Sequence, residues 1–80
     1  MINVALFGFG RIGQMHAENL TKNKEIKLLY VYEKIDQLNN KAKKLYGCKI
    51  EKNYKKIFND KKVDIVFISS PTNTHIKFIE

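Results

Sequence analysis

Six residues near the amino terminus, Gly8-Phe9-Gly10-Arg11-Ile12-Gly13, set three glycines at the spacing G-x-G-x-x-G. Each glycine answers a different steric demand. The first permits a tight strand-to-helix turn. The second has no Cβ to hold a pyrophosphate away from the backbone, and the third lets the following helix lie close to the strand. A helix opening on such a turn offers unpaired N–H groups and roughly half a positive charge to an anion. Glu33 follows Gly13 by 20 residues, the spacing at which a carboxylate can accept the 2′-hydroxyl of an adenosine ribose. Glycine turns also arise for steric reasons alone, and acids at strand ends are common. The register of strand, turn, helix, strand and acid together favours a dinucleotide site.

The other chemistry-bearing residues divide between site and scaffold. Glu33 repels a 2′-phosphate, which favours NAD, with NADP as the alternative. Lys34 beside it either softens that repulsion or faces water. Arg11 caps the phosphates, lies over the adenine side of the site or points to solvent, and Ile12 contributes a backbone N–H whatever its side chain does. His16 has no metal partner in view and reads as a hydrogen-bonded packing residue. Cys48 after Gly47 reads as a small apolar residue near a strand start. No metal site is expected.

These residues need a scaffold of alternating strands and helices. Ile2 to Phe7 is a short apolar run ending at glycine, as a buried parallel strand should be. The pattern from Arg11 to about Lys22 is helical, with Ile12, Met15, His16 and Leu20 near one face. Ile26 to Tyr32 reads as the second strand. Ile35 to Tyr46 reads as a helix with an apolar stripe of Ile35, Leu38, Ala42 and Leu45, closed by Gly47. Cys48 to Ile50 reads as a short third strand. Tyr54 to Asn59 reads as a brief helix with Tyr54, Ile57 and Phe58 inward, and Val63 to Ile68 as a fourth strand. A last helix is expected to begin between Thr72 and Thr74 and to run to Glu80.

The alternation implies right-handed parallel β-α-β units. The expectation is an α/β fold: the N-terminal part of a doubly wound Rossmann sheet, residues 1–80, truncated after its fourth strand. The strand order expected is 3-2-1-4, with a fifth and sixth strand of such a sheet lying outside the chain.

Composition bounds the remaining classes. Eighty residues make one small domain, and 44% apolar with 29% charged residues describes a globular chain rather than a disordered one. No apolar run reaches the length of a membrane span, so no membrane partner is expected. A single cysteine excludes an internal disulfide and fits a cytoplasmic setting. The net charge of +7 comes mostly from lysines spread between Lys41 and Lys62, with Arg11 the sole arginine. Nucleic-acid surfaces use arginine forks and stacked aromatics, so no nucleic-acid partner is expected.

Gly10-Arg11-Ile12-Gly13-Gln14-Met15-His16-Ala17-Glu18-Asn19 resembles the glucose–fructose oxidoreductase and inositol dehydrogenase family (Gfo/Idh/MocA), nearest to its inositol 2-dehydrogenase-like members. Asp64-Ile65-Val66-Phe67-Ile68-Ser69-Ser70-Pro71-Thr72-Asn73-Thr74-His75 resembles that family's fourth strand and the loop after it. The resemblance covers essentially the whole chain. It implies that Ser69, Ser70, Pro71, Thr72 and His75 line the cofactor together with Gly8 to Gly13, Glu33 and Lys34. It also implies an NAD(P)-dependent dehydrogenase, homo-oligomeric at full length, acting on a sugar or cyclic polyol. The family's catalytic lysine follows the fifth strand, and a histidine and an aspartate come from a second α/β domain. No catalytic role is therefore expected on these 80 residues, which alone should be inactive.

Two other readings follow from the same residues. The glycine turn also resembles the opening of glyceraldehyde-3-phosphate dehydrogenase, but Cys48 lacks the Ser-Cys-Thr-Thr setting of that nucleophile. A non-catalytic NAD(H)-sensing module or truncated remnant would share the same fold.

Overall fold

The computed structural model describes residues 1–69 and the backbone of 74–78. Strand β1 (Ile2–Phe7) is followed by helix α1 (Arg11–Thr21) and strand β2 (Ile26–Tyr32). Next come helix α2 (Asp36–Tyr46), the short strand β3 (Lys49–Ile50) and helix α3 (Tyr54–Asn59). Strands β4 (Ile65–Ser69) and β5 (Thr74–Phe78) complete the described elements. The sheet order is β3-β2-β1-β4-β5, and the first four strands run parallel. This is the N-terminal part of a Rossmann sheet, with β1 at its centre. The point where the winding reverses lies between β1 and β4.

The apolar runs of β1 and β2 are buried on both faces because helices cover both, and β4 buries Val66. On the face toward α1 and α2, Leu6, Phe9, Ala17, Leu28, Val31, Ala42 and Cys48 form one core. On the face toward α3, Ala5, Leu29, Ile57, Val63 and Val66 form another. The pairing of β1 with β2 slips by one residue, from Val4↔Leu28 to Ala5↔Tyr30, so Leu29 is left without an opposite. Burial pushes the Cys48 thiol pKa upward, as expected of a packing residue rather than a nucleophile. Gly47 closes α2 in the left-handed conformation.

Three helical faces differ from expectation. In α1 the buried residues are Gly13 and Ala17, whereas Ile12 and Met15 are exposed. The helix must approach β1 closely, and only small residues one turn apart allow that approach. His16 packs its ring on Phe67 at 4.8 Å. In α2 the inward positions are Leu38, Asn39, Ala42 and Tyr46, and Ile35 and Leu45 are exposed. The buried amide of Asn39 bonds to the end of β2 and holds the helix in that rotation. In α3, six residues offer the sheet one inward position, taken by Ile57. Tyr54 and Phe58 stay exposed and meet Tyr32 and Phe7 edge-on.

The segment after β4 also differs. A helix was expected there, but Thr74–Phe78 forms a strand antiparallel to β4, pairing Ile65↔Phe78 through Ser69↔Thr74. The sheet therefore has five strands rather than four. An uncovered edge on β4 would leave a row of backbone donors and acceptors unpaired. Four residues separate Ser69 from Thr74, too few for a parallel crossover, which takes a dozen or more. An antiparallel return is the partner within reach. Among the described residues, no helix is long and apolar enough to cross a membrane.

Candidate functional site

The glycine turn leaves β1 at the carboxyl end of the sheet, where open α/β folds bind their ligands. Gly8 takes φ +96°, and a Cβ there would lie 2.7 Å from the Ser69 carbonyl oxygen. Its N–H donates to the Tyr32 carbonyl at 2.8 Å, joining the ends of β1 and β2. A Cβ on Gly13 would lie 2.1 Å from the Gly8 carbonyl oxygen, a collision with backbone that no rotamer relieves. Gly10 is different, since a Cβ there would meet nothing within 4 Å.

Gly10 caps α1 without any side-chain hydrogen bond, and the first turn holds no acidic residue. The helix N-terminus therefore presents its N–H groups and partial positive charge to the open space over Gly10. Gln14 braces the turn by donating its Nε2 to the Phe9 carbonyl at 3.1 Å. Arg11 is exposed on the first turn. Phe9 contributes by its backbone alone. Its ring is fully buried, edge-on to Tyr46 at 6.2 Å.

The Glu33 carboxylate reaches back from the end of β2 to this turn. Its Oε1 accepts the Phe9 N–H at 2.8 Å, and its Oε2 accepts the Ile35 N–H at 3.0 Å. A carboxylate oxygen has two lone pairs, so each still has capacity for a ligand hydroxyl. Asn39 Nδ2 donates to the Glu33 carbonyl at 2.8 Å. Asn39 is 4% exposed, and among the described residues its Oδ1 has no donor, at a cost of about 1–3 kcal/mol. The sequence reading missed Asn39. Its signal was a polar residue between Leu38 and Ala42, on the side of α2 that meets the sheet.

A crevice of about 500 Å³ lies between Phe7, Gly8, Tyr32, Glu33, Lys34, Ile68 and Ser69. Beside it a smaller one of about 270 Å³ is lined by Tyr32, Glu33, Lys34 and Lys52. Lys52 also forms an exposed ion pair with Asp36. Of the residues expected in the site, Gly8, Gly10, Gly13, Glu33, Lys34 and Ser69 come together at these crevices and the turn. Arg11 and Ile12 stand exposed on the first turn of α1. Ser70, Pro71 and Thr72 lie outside the described residues, and His75 stands in β5 opposite Ile68 rather than in a helix.

Behind the site, Tyr30 donates its hydroxyl to Asp60 Oδ2 at 2.6 Å, joining β2 to the end of α3. That bond, then burial, pushes the Tyr30 phenol up to about 12. The same bond, then the Lys62 N–H, holds the Asp60 carboxyl below the ordinary carboxylate range. Among the described residues, no group of three or more His, Cys, Asp and Glu side chains could hold a metal.

The open space over Gly10, the uncapped helix end and the anchored acid fit a dinucleotide, so fold and site together define a nucleotide-binding Rossmann domain. Residues 2–80 match the model of the oxidoreductase family with an NAD-binding Rossmann fold, GFO_IDH_MocA. The chain belongs to that family. It is 35% identical over 80 residues to a myo-inositol 2-dehydrogenase of Thermotoga maritima, covering 98% of this chain and 24% of that protein. An inositol 2-dehydrogenase of Rhizobium meliloti is 30% identical over 79 residues, covering 99% and 24%. The solved scyllo-inositol dehydrogenase of Lactobacillus casei, with bound NAD(H) and scyllo-inositol, superposes with a TM-score of 0.79. It is 30% identical and covers 89% of this chain and 22% of that one. The chain thus spans about a quarter of the length of the curated relatives it matches.

Proposed function

We propose that the chain binds the adenosine and pyrophosphate portion of NAD, as the cofactor part of a dehydrogenase acting on a secondary alcohol of a sugar or cyclic polyol. One observation carries the reading: the Glu33 carboxylate is fixed beside the glycine turn by the Phe9 and Ile35 N–H groups. Backbone N–H groups of Gly10 to Gly13 receive the pyrophosphate, and Glu33 accepts the ribose 2′-hydroxyl. Arg11 reaches the phosphates from the first turn. Ser69 borders the cofactor at the end of β4 and Lys34 flanks the ribose, while the family resemblance carries cofactor contacts to Ser70, Pro71, Thr72 and His75 as well.

When bound, the nicotinamide supplies a carbon that accepts or donates hydride. The chain's own work is to hold and orient the dinucleotide and to shape a crevice around its adenosine end. Substrate binding and proton movement belong to residues outside these 80. The polyol assignment draws on the names of the inositol dehydrogenases it resembles.

Lys34 and Lys52 beside Glu33 support a second reading, in which NADP also binds with its 2′-phosphate toward the lysines. Titration calorimetry of the purified protein with NAD and NADP decides between them. NAD should bind more tightly, and Glu33→Ala should weaken it by about 1–2 kcal/mol, the value of a hydrogen bond to a charged group. Unchanged NAD affinity in Glu33→Ala would remove Glu33 from the site. NADP affinity equal to that of NAD would establish the second reading.

A further inference from the structure

We infer that Asn39 is a positioning residue for the cofactor: its buried amide fixes Glu33 where the carboxylate accepts the adenosine 2′-hydroxyl. The inference rests on the reading of Glu33 given above and adds a residue that lies outside the glycine motif and its acid.

Three hydrogen bonds carry it. Asn39 Nδ2 donates to the Glu33 carbonyl at 2.8 Å, tying the main chain at the end of β2 to the inner side of α2. From that fixed main chain the Glu33 side chain spans two backbone donors, Phe9 N–H at 2.8 Å and Ile35 N–H at 3.0 Å. A continuous path therefore runs from α2 through the Glu33 backbone and carboxylate to the glycine turn. Without the Asn39 bond, the Glu33 carbonyl loses its tie to α2. The Glu33 peptide then loses the restraint on its carbonyl, and the carboxylate is held less firmly, through the Phe9 and Ile35 N–H groups alone.

The composition of α2 points the same way. Its other inward residues, Leu38, Ala42 and Tyr46, pack against the core. Asn39 is the polar exception, 4% exposed, with an Oδ1 that no described donor satisfies. Packing does not account for a buried amide with one end unpaired, because an apolar side chain would fill the space without that cost. The bond to Glu33 does account for it.

A residue that only stapled the β2–α2 connection would affect all ligands of the site alike. A residue acting through Glu33 affects only the contact with the ribose hydroxyl. The test therefore compares NAD with its 2′-deoxyadenosine analogue, by calorimetry on the purified protein. Wild type should prefer NAD about tenfold, as expected for one hydrogen bond to a charged acceptor. Asn39→Leu should reduce that preference to about twofold and leave affinity for the deoxy analogue within about twofold. In Glu33→Ala the preference should already be gone, and adding Asn39→Leu should change nothing further, the mark of two residues acting through one contact. Asn39→Ser, whose hydroxyl is too short to reach the same carbonyl, provides the same readout if the leucine variant folds poorly. Equal weakening of both ligands by Asn39 variants, with the preference intact, would overturn the inference and leave Glu33 in the site. A wild type without any preference would overturn the Glu33 reading itself, and the inference with it.

Discussion

The sheet carries two crevices of nearly equal size at the opposite ends of its parallel strands. One, of about 500 Å³, lies at the carboxyl ends of β1, β2 and β4. The other, of about 520 Å³, lies at the amino ends, between Met1, Thr21, Ile26, Lys27, Leu28, Leu45 and Tyr46. Volume does not distinguish them. At the carboxyl end a helix N-terminus opens onto free space over Gly10, and a carboxylate is held by two backbone donors. At the amino end the lining is mostly apolar, with Met1 and Leu45 exposed and Leu28 buried. A ligand site needs convergent polar groups in a concave setting; at the carboxyl end the N–H groups of α1 and the anchored Glu33 carboxylate converge, whereas the amino-end crevice offers Thr21, Lys27 and Tyr46 from three separate elements. The direction of the strands decides this: in parallel βαβ units every following helix begins at that end.

The largest effects should come from the glycine turn, where two neighbouring glycines serve different ends. Gly13→Ala places a Cβ 2.1 Å from the Gly8 carbonyl and should cost about 3 kcal/mol or more in a denaturant titration, by overpacking against rigid backbone. Gly10→Ala places its Cβ in open space and should cost under about 1 kcal/mol of stability. The same change should weaken NAD by about 1.5–3 kcal/mol, because the methyl stands where phosphate must approach the N–H groups. Similar stability losses in both variants would erase the distinction between a structural and a ligand-facing glycine.

Much of this end was legible in the sequence. The turn and the acid announce themselves by residue type and spacing, because Gly8 and Gly13 tolerate no side chain and the acid must end β2. Faces of helices were less legible. Ile12 and Met15 looked like core, yet the close approach of α1 admits only Gly13 and Ala17. Ile35 and Leu45 gave α2 an apolar stripe, but a hydrogen bond from Asn39 set its rotation instead. β5 was illegible because it answers the unpaired edge of β4, a demand that arises only once the sheet exists.

A smaller effect should appear behind the site, at the Tyr30–Asp60 bond. Tyr30 has a folded pKa of about 12 against an ordinary 10.0, so its contribution is complete below pH 10 and is lost as pH rises through 12. Asp60 is lowered from 3.8, so its contribution is present above that value and is lost as pH falls through the depressed pKa. Ultraviolet titration of the phenols should show a late step near pH 12 that Tyr30→Phe removes. Tyr46, raised first by burial, should keep its own late ionisation in that variant. Tyr30→Phe should leave NAD affinity unchanged, since the Tyr30–Asp60 pair lies outside the crevice.

The difference between the two ends of the sheet is tested most directly by following backbone amide resonances of the purified protein as NAD is added. The amides of Gly10 to Gly13, Phe9 and Ile35 should shift and saturate together, while those of Ile26 to Leu28, Leu45 and Tyr46 stay in place. Saturable shifts confined to the amino-terminal crevice, or none at the glycine turn, would contradict the account.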